Sequence, residues 1–475
     1  ATMEKYLEEG DADPSTLHAP ITKALREGHI IPVCFTSAKN LIGIRDLIKV
    51  IIRHMPAPVE ANAAPFVDAQ GNPVHIAPDP DQPVIARVFK VVSDPFVGKI
   101  GVFRVHRGRI KAGTELYAGD AKKPFKVVHP LLLQGKNTAD TDELHAGDIG
   151  ALSKVDDLYY GCVLHSDPAD AGIVLPRPPY PRPMFGLAIE PARRGDESRM
   201  GEVLQKMLAE DPTLAVDHDA QLNETVLRGL TEMHVRTVLE RMKDQFKLEV
   251  TTSAPSVPYR ETIGAAAEGH ARHKKQTGGA GQFGEVFLKV EPLPRGAGFE
   301  FVDRVKGGVI PFNLIPAVEK GVREVLATGY MAGYPITDIR VTVYDGKSHP
   351  VDSKEVAFVA AGRKAMLDAL AKAQPQILEP IVEIAVSAPE STMGAITGDI
   401  AARRGQVQGT DNLAPGVMEI KALVPLSELT GYAARLHALT QGAGAFTMDL
   451  ADYHTVPAQK AQELASHYQR KDEED

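Results

Sequence analysis

The chain has 475 residues, 43% hydrophobic, 24% charged and 6% aromatic, ordinary globular usage that excludes wholesale disorder and collagen-like or disulfide-scaffold classes. No stretch approaches the roughly 18 uncharged apolar residues of a membrane helix, and the opening ATMEKYLEEGDADP is acidic where a secretory signal would be basic and then apolar, so a soluble cytoplasmic protein is expected. The net charge of −9 argues against a surface that binds phosphate indiscriminately, and Cys34 and Cys162, the only cysteines, leave no CxxC metal pair or disulfide framework.

At about 150 residues per domain, length alone suggests roughly three domains. Proline runs divide the chain more finely, because each proline fixes φ and removes a backbone donor. One run extends from Pro56 to Pro83 and another from Pro176 to Pro183, with lesser breaks at Pro255 and Pro258 and at Pro375 and Pro380.

Residues 1–55 read as a helix, the apolar strand IIPVCFTSA and the amphipathic helix GIRDLIKVIIRHM. One strand and two helices cannot make a sheet layer alone, so this block is expected to be the C-terminal remnant of a larger α/β domain.

Residues 84–175 alternate short β-rich runs, VIARVFKVV, KIGVFRVHRG, TELYAG, FKVVHPLLL and IGALSKV, with Gly and Asp turns, the spacing of a small β-barrel. Residues 84–130 carry ten basic and three acidic side chains, whereas 131–175 carry two and eight. Lys99, Arg104, Arg107, Arg109 and Lys111 occur with no acid between them, in strands where alternate residues share a face. Such a face suits a phosphate backbone; a charged edge that blocks aggregation is the other reading.

Residues 184–254 run strand MFGLAIEP, helix ESRMGEVLQKMLAED, two strands that include TVLRGL, helix EMHVRTVLERMKDQF and strand KLEVTTS, the βαββαβ order of a ferredoxin-like unit. Residues 259–374 form a separate α+β block, with strands EVFLKVEP, FEFVDRV and ITDIRVTVYDG and helices PAVEKGVREVLATG and SKEVAFVAAGRKAMLDALAKA. Residues 381–450 repeat the βαββαβ order with little sequence identity, with SELTGYAARLHALT as the second helix. PAQKAQELASHYQ is a last helix that must dock, followed by the solvated charges RKDEED.

Gly279 to Val286, GAGQFGEV, fits both the dinucleotide GxGxxG and the kinase GxGxxGxV patterns, but a strand follows where a helix should receive the pyrophosphate, and HRD and DFG are missing. The remaining reading is a glycine-rich hairpin tip, flanked by His270, Arg272, His273, Lys274 and Lys275, that lets backbone approach a crowded partner. His270 and His273 read as solvated loop histidines, since no HExxH or cysteine supports a metal. Gly135-Lys136 and Gly346-Lys347-Ser348 end like a P-loop, but Pro130 and Val341 stand where its first glycine is required. With no GxSxG elbow and no specific carboxylate pair, no catalytic residue and no metal site is expected in this chain. Arg403 and Arg404 end a helix before Gly405, where they would either complement the helix dipole or contact RNA.

Several long, colinear segments resemble one family, bacterial elongation factor G, the translational GTPase that drives translocation on the ribosome. They are VFKVVSDPFVGKIGVFRVHRG, AEDPTLAV, RGLTEMHVRTVLERMK, PSVPYRETI, KKQTGGAGQFG, VKGGVIPFNLIPAVEKGV, AGYPITD, VDSKEVAF, TGDIAARRGQVQG and VPLSELTGYAARLHALTQG, and the match covers nearly the whole chain. The resemblance implies a multidomain α+β fold: residues 1–57 the end of a P-loop GTPase domain, 58–175 a linker and translation-type β-barrel, and 176–256 a ferredoxin-like domain. It also implies a ribosomal S5 domain 2-like α+β arm over 257–379, a second ferredoxin-like domain over 380–453, and a helix packing on the arm with an acidic tail over 454–475.

The resemblance further implies that Ser37, Ala38 and Lys39 correspond to the loop that contacts the guanine base, with the P-loop and switches expected before Ala1. GTP or GDP with Mg would then belong to the intact protein, and this chain by itself would neither bind nor hydrolyse GTP. The RNA-contacting set it implies is Gly278, Gly279, Ala280, Gly281 and Gln282 at the arm tip with His349 and Pro350, Arg403 and Arg404 toward the large-subunit factor-binding centre, and Lys99, Arg107 and Arg109 on the barrel. The implied partners are the ribosome, including its decoding region, ribosomal RNA, tRNA and mRNA, met by a monomer without a membrane.

Departures from the family pattern matter. Ala280 stands where the family usually has Arg, SHPVDS replaces YHDVDS and so puts Pro350 after His349, and Gln441 and Ala443 replace a Lys and an Arg. Three missing cations on surfaces expected to face RNA point to a divergent paralogue, for which ribosome recycling, rescue or protection stands beside translocation. A GTP-independent RNA-binding module is the reading from another class.

Overall fold

A computed structural model describes residues 14–56, 65–94, 97–135, 137–220, 222–276, 281–466 and 468. It divides into two compact units: one gathers the chain up to Pro181 with Pro191–Ala215 and Arg236–Val250, the other Arg182–Glu190, Val216–Val235 and the chain from Thr251 onward. Among the described residues no helix is long and apolar enough to cross a membrane.

In the first unit, helices Pro14–Arg26 and Ile44–His54 form as their periodicity predicts, but the expected strand IIPVCFTSA does not. Its residues lack regular structure because a strand exists only through its ladder, and no described segment offers one beyond the single bridge between Ser37 and Ile42. Ile31, Val33, Phe35 and Ile52 are therefore left exposed.

The barrel is an eight-stranded curled sheet in the order Phe125–Lys126, Glu115–Ala118, Val163–His165, Ile85–Asp94, Gly98–Arg107, Ile149–Ser153, Leu131–Gln134, Asn137–Asp140. It wraps a core of Val88, Phe103, Val105, Leu116, Leu144, Leu152 and Leu164. The expected single run FKVVHPLLL is two strands, interrupted ahead of Pro130, which has no N–H for a ladder. Helix Glu197–Glu210 is tied to the barrel by the Ser93 N–H, which donates to Glu210 Oε1 at 2.6 Å.

The second unit holds both ferredoxin-like sheets and the arm. Strands Ala215–Asp219, Glu224–Gly229, Phe185–Pro191 and Val250–Ser253 lie in that spatial order. The C-terminal sheet has the same topology: the 15-residue strand Pro375–Pro389 lies between Ala445–Thr455 and Val417–Pro425, with Gln406–Ala414 beyond. Near its start that long strand also pairs with Arg260–Ile263, which joins the arm to the C-terminal sheet through one continuous ladder.

The arm sheet runs Ala267–Lys275, Gln282–Pro292, Ile339–Lys347, Phe299–Asp303, and only the last pair is parallel. Helices Ile315–Thr328 and Glu355–Lys372 bury Val318, Val322, Val325, Phe358, Ala365 and Ala369 into one core with Val286, Leu288, Val341 and Val343. Because Phe299–Asp303 and Ile339–Lys347 are parallel, the chain leaves both at the same end, where the hairpin Lys275 to Gln282 also turns. The ends of the hairpin at Lys275 and Gln282 therefore lie at the same end of the arm as residues 304–314 and 348–354, and these three connections are the loops of the arm end.

Candidate nucleic-acid interface

The arm end is built from the hairpin upward. Lys275 and Gln282 are register partners, and Gly278, Gly279 and Ala280 between them lie outside the described residues. Gly281 lies close to the second loop: a Cβ there would sit 2.6 Å from Asp352 Oδ1, so a larger residue would displace the Asp352 carboxylate. The two loops are laced together by hydrogen bonds. Phe283 N–H donates to Asp352 O at 2.9 Å, Ser353 Oγ donates to Phe283 O at 2.8 Å, and His349 N–H donates to Ser353 Oγ at 2.7 Å. This fixes the His349 ring edge-on to Phe283, centroids 6.3 Å apart, with its side chain 51% exposed and Pro350 exposed beside it. Gln282 faces His273 across the hairpin, Oε1 to Nε2 at 3.0 Å. The structure thus assembles Gly281, Gln282, His349 and Pro350 in one place.

The third loop was not singled out from sequence, though its signal was present as Arg304 and Lys306 before two glycines. It packs against the end of strand Ile339–Lys347, since a Cβ on Gly346 would lie 2.5 Å from Ile310 Cδ1. Around the three loops Lys274, Lys275, Arg304, Lys306, Lys347 and Lys354 are exposed, and none holds an ion pair or side-chain hydrogen bond with another described residue. Among the described residues no carboxylate forms an ion pair with them, so they add up to a positive local field.

The histidines of the hairpin are not loop residues, because both lie on strand Ala267–Lys275. His270 stacks on Phe287 with centroids 4.0 Å apart and meets Glu285 Oε1 at 2.9 Å. No group of three metal-binding side chains occurs among the described residues.

Elsewhere, Lys99, Arg107, Arg109, Arg403 and Arg404 are engaged within the protein. Arg107 pairs with Asp170 and donates to Pro83 O, Arg109 pairs with Asp81, and Lys99 donates to Asp156 O at 2.8 Å. The open basic strand face expected on the barrel is in this respect a set of internal ties. Arg403 binds Asp399 at 2.8 Å and lies over the Tyr432 ring. Burial would raise the Asp399 pKa, but the hydrogen bonds from Arg403 and Arg435 outweigh it and hold the carboxyl below the ordinary range. Arg404 grips the buried Glu379 with both guanidinium nitrogens, at 2.7 and 2.8 Å, and also Glu428, so its pKa is raised. These pairs hold Arg403 and Arg404 against the rest of the C-terminal domain.

Arg87 and Arg104, also on the barrel, hold no ion pair with another described residue. Arg87 and Arg104 are direct cross-strand partners, and Arg87 Nε is buried without an acceptor. Burial first, then the charges of Arg104 and Arg87, push the neighbouring His106 down to about 4.

Ser37, Ala38 and Lys39 form an exposed turn closed by the mutual backbone bonds of Ser37 and Ile42. In the second unit a cavity of about 750 Å³ opens among Phe185, Val226, Met233, Leu429, Tyr432 and Phe446. The Tyr432 hydroxyl there is buried without a partner, and burial raises it to about 12.

Four family descriptions match consecutive parts of the chain: "Elongation factor G domain 2" over residues 83–166, "Elongation Factor G, domain III" over 180–254, "Elongation factor G, domain IV" over 255–374 and "Elongation factor G C-terminus" over 376–464. A crystal structure of a protein from Thermus thermophilus is similar at 35% identity and a TM-score of 0.74, with 98% of this chain and 67% of that one covered. With the barrel, the paired ferredoxin-like sheets and the three-looped arm in place, these matches show that the chain belongs to the elongation factor G family.

Proposed function

We propose that the protein acts on the ribosome with the arm end as its RNA-facing surface, and that the intact protein promotes movement of tRNA and mRNA with guanine-nucleotide hydrolysis. One observation carries the reading: the six exposed cations around the arm end hold no ion pair with another described residue, whereas Lys99, Arg107 and Arg109 of the barrel and Arg403 and Arg404 of the C-terminal domain are taken up by internal carboxylates and carbonyls. Unpaired like charges repel unless a polyanion neutralises them, and a phosphate backbone does so while releasing its counterions. His349 and Gln282, held rigidly among these cations, supply hydrogen-bonding groups to whatever the phosphates deliver. Toward a guanine nucleotide, Ser37, Ala38 and Lys39 would meet only the base.

The test is binding of purified small ribosomal subunits by the chain across a salt series, with Lys274, Lys306 and Lys347 replaced together by Ala. The log–log slope should become shallower by about 0.9 for each phosphate that is no longer neutralised, with the melting temperature unchanged because these side chains are exposed. An unchanged slope rejects the arm end as the RNA-facing surface.

A second reading, subunit recycling or rescue, is favoured by Pro350 exposed beside His349 in the altered second loop. Translocation and subunit-splitting assays on the intact protein separate the two, and robust translocation without splitting removes recycling.

A further inference from the structure

We infer that Phe312, on the third loop of the arm end, is a stacking platform for an unpaired nucleobase of RNA. This rests on the arm end facing RNA and adds the residue that touches a base. The loop alternates inward and outward residues. Ile310 and Leu314 are 2% and 8% exposed in the arm core, and Val305 and Val309 pack against that core from the rim. Phe312, between the two most buried of these, is 86% exposed.

Its presentation is rigid. Gly307 and Gly308, at φ +68° and +66°, turn the chain, and Pro311 with the short 3-10 turn Phe312–Leu314 leads directly into helix Ile315–Thr328. The Leu314 N–H closes this turn on Pro311 O at 2.8 Å. The ring is thus held outward by a turn with little freedom, which lowers the entropy lost on binding.

A lone exposed aromatic is ordinary on a protein surface. Here its company is not. Arg304 and Lys306 lie on the loop itself and Lys347 follows Gly346, which meets Ile310; none of the three holds an ion pair with another described residue, and the acid at the loop's start, Asp303, accepts the Val305 N–H at 2.9 Å. Cations that track a backbone, with an aromatic face among them, are the two parts of a single-stranded nucleic-acid site: the phosphates are held by charge and the exposed base stacks on the ring. A duplex, whose bases are already stacked, satisfies only the first part.

The experiment measures equilibrium binding by the full chain of a short fluorescent single-stranded oligoadenylate, and of the same strand annealed to oligouridylate, for Phe312→Ala, Phe312→Leu and Phe312→Trp. Phe312→Ala should weaken single-strand binding by about fivefold or more with an unchanged salt slope, Phe312→Trp should retain it, Phe312→Leu should not, and duplex binding should stay the same. Single-strand binding that Phe312→Ala leaves unchanged overturns this inference alone. A Phe312→Leu chain that binds as well as the native one also overturns it, pointing to an apolar protein contact instead. If the native chain binds neither probe, the RNA-facing arm fails and this inference fails with it.

Discussion

His106 shows how strongly one residue's chemistry depends on neighbours distant in sequence. Its ring meets Phe66 edge-on, centroids 4.9 Å apart, and burial first, then the charges of Arg104 and Arg87, push its pKa down to about 4 and hold it neutral. In the unfolded chain the same imidazole takes its proton near 6.5, so the unfolded state binds more protons between these values. Stability from this group is therefore complete above about pH 6.5 and falls as the pH drops toward 4, by about 2 kcal/mol once partial solvent screening is allowed for. Urea unfolding at about pH 7 and about pH 4.5 should show that loss in the native chain, and His106→Gln should remove it. Equal losses in both proteins would place the acid sensitivity elsewhere. The sequence showed His106 among cations but not its burial, which comes from Phe66 arriving from across the proline-rich linker.

At the scale of elements, Glu261 shows what a short strand can organise. Strand Arg260–Ile263 is fixed by pairing with Leu378 to Pro375, and this places the Glu261 carboxylate, 1% exposed, beneath the turn at residues 330–334. There it accepts four backbone N–H groups, from Tyr330, Met331, Ala332 and Tyr334, at 2.7, 2.8, 2.8 and 3.1 Å. The same turn region receives the C-terminal Tyr468, whose hydroxyl donates to Thr328 O at 3.3 Å. Glu261→Gln turns an amide NH₂ toward donors and leaves buried N–H groups unsatisfied, so a loss of about 2 to 4 kcal/mol is expected in denaturant unfolding, with faster hydrogen exchange at residues 330–334. Unchanged exchange there would show that the turn holds itself. Local pattern was a good guide to the helices: EMHVRTVLERMKDQF is the helix Glu232–Phe246 residue for residue. It failed where a glycine or a missing partner intervened. SELTGYAARLHALT splits into a 3-10 turn and the helix Tyr432–Thr440 because Gly431 takes φ +72°, and IIPVCFTSA has no ladder to join.

For the whole molecule the decisive property is where charge is spent. The Arg404–Glu379 pair locks the helix end at Ala402 to the long strand that runs from the arm ladder into the C-terminal sheet. Arg404→Ala would strand a carboxylate that is 3% exposed, at a cost of about 3 kcal/mol, the low end for a buried pair because the guanidinium itself is 34% exposed. RNA binding measured at a temperature where the variant is folded should keep its salt slope if Arg404 serves the fold; a shallower slope would show that it contacts RNA. Architecture was legible in the amino-acid order, because periodicity, proline breaks and the doubled βαββαβ pattern are local properties that any packing must respect. Family membership was legible for the same reason, carried by long colinear segments. Which cations are free was not legible. Arg107 finds Asp170, and Arg404 finds Glu379 and Glu428, across separations that only folding closes, whereas Lys306 and Lys347 meet no acid among the described residues. Composition counts charges, but their availability depends on three-dimensional pairing, so the barrel that looks most basic in sequence has several of its cations tied internally and the arm end keeps its own unpaired.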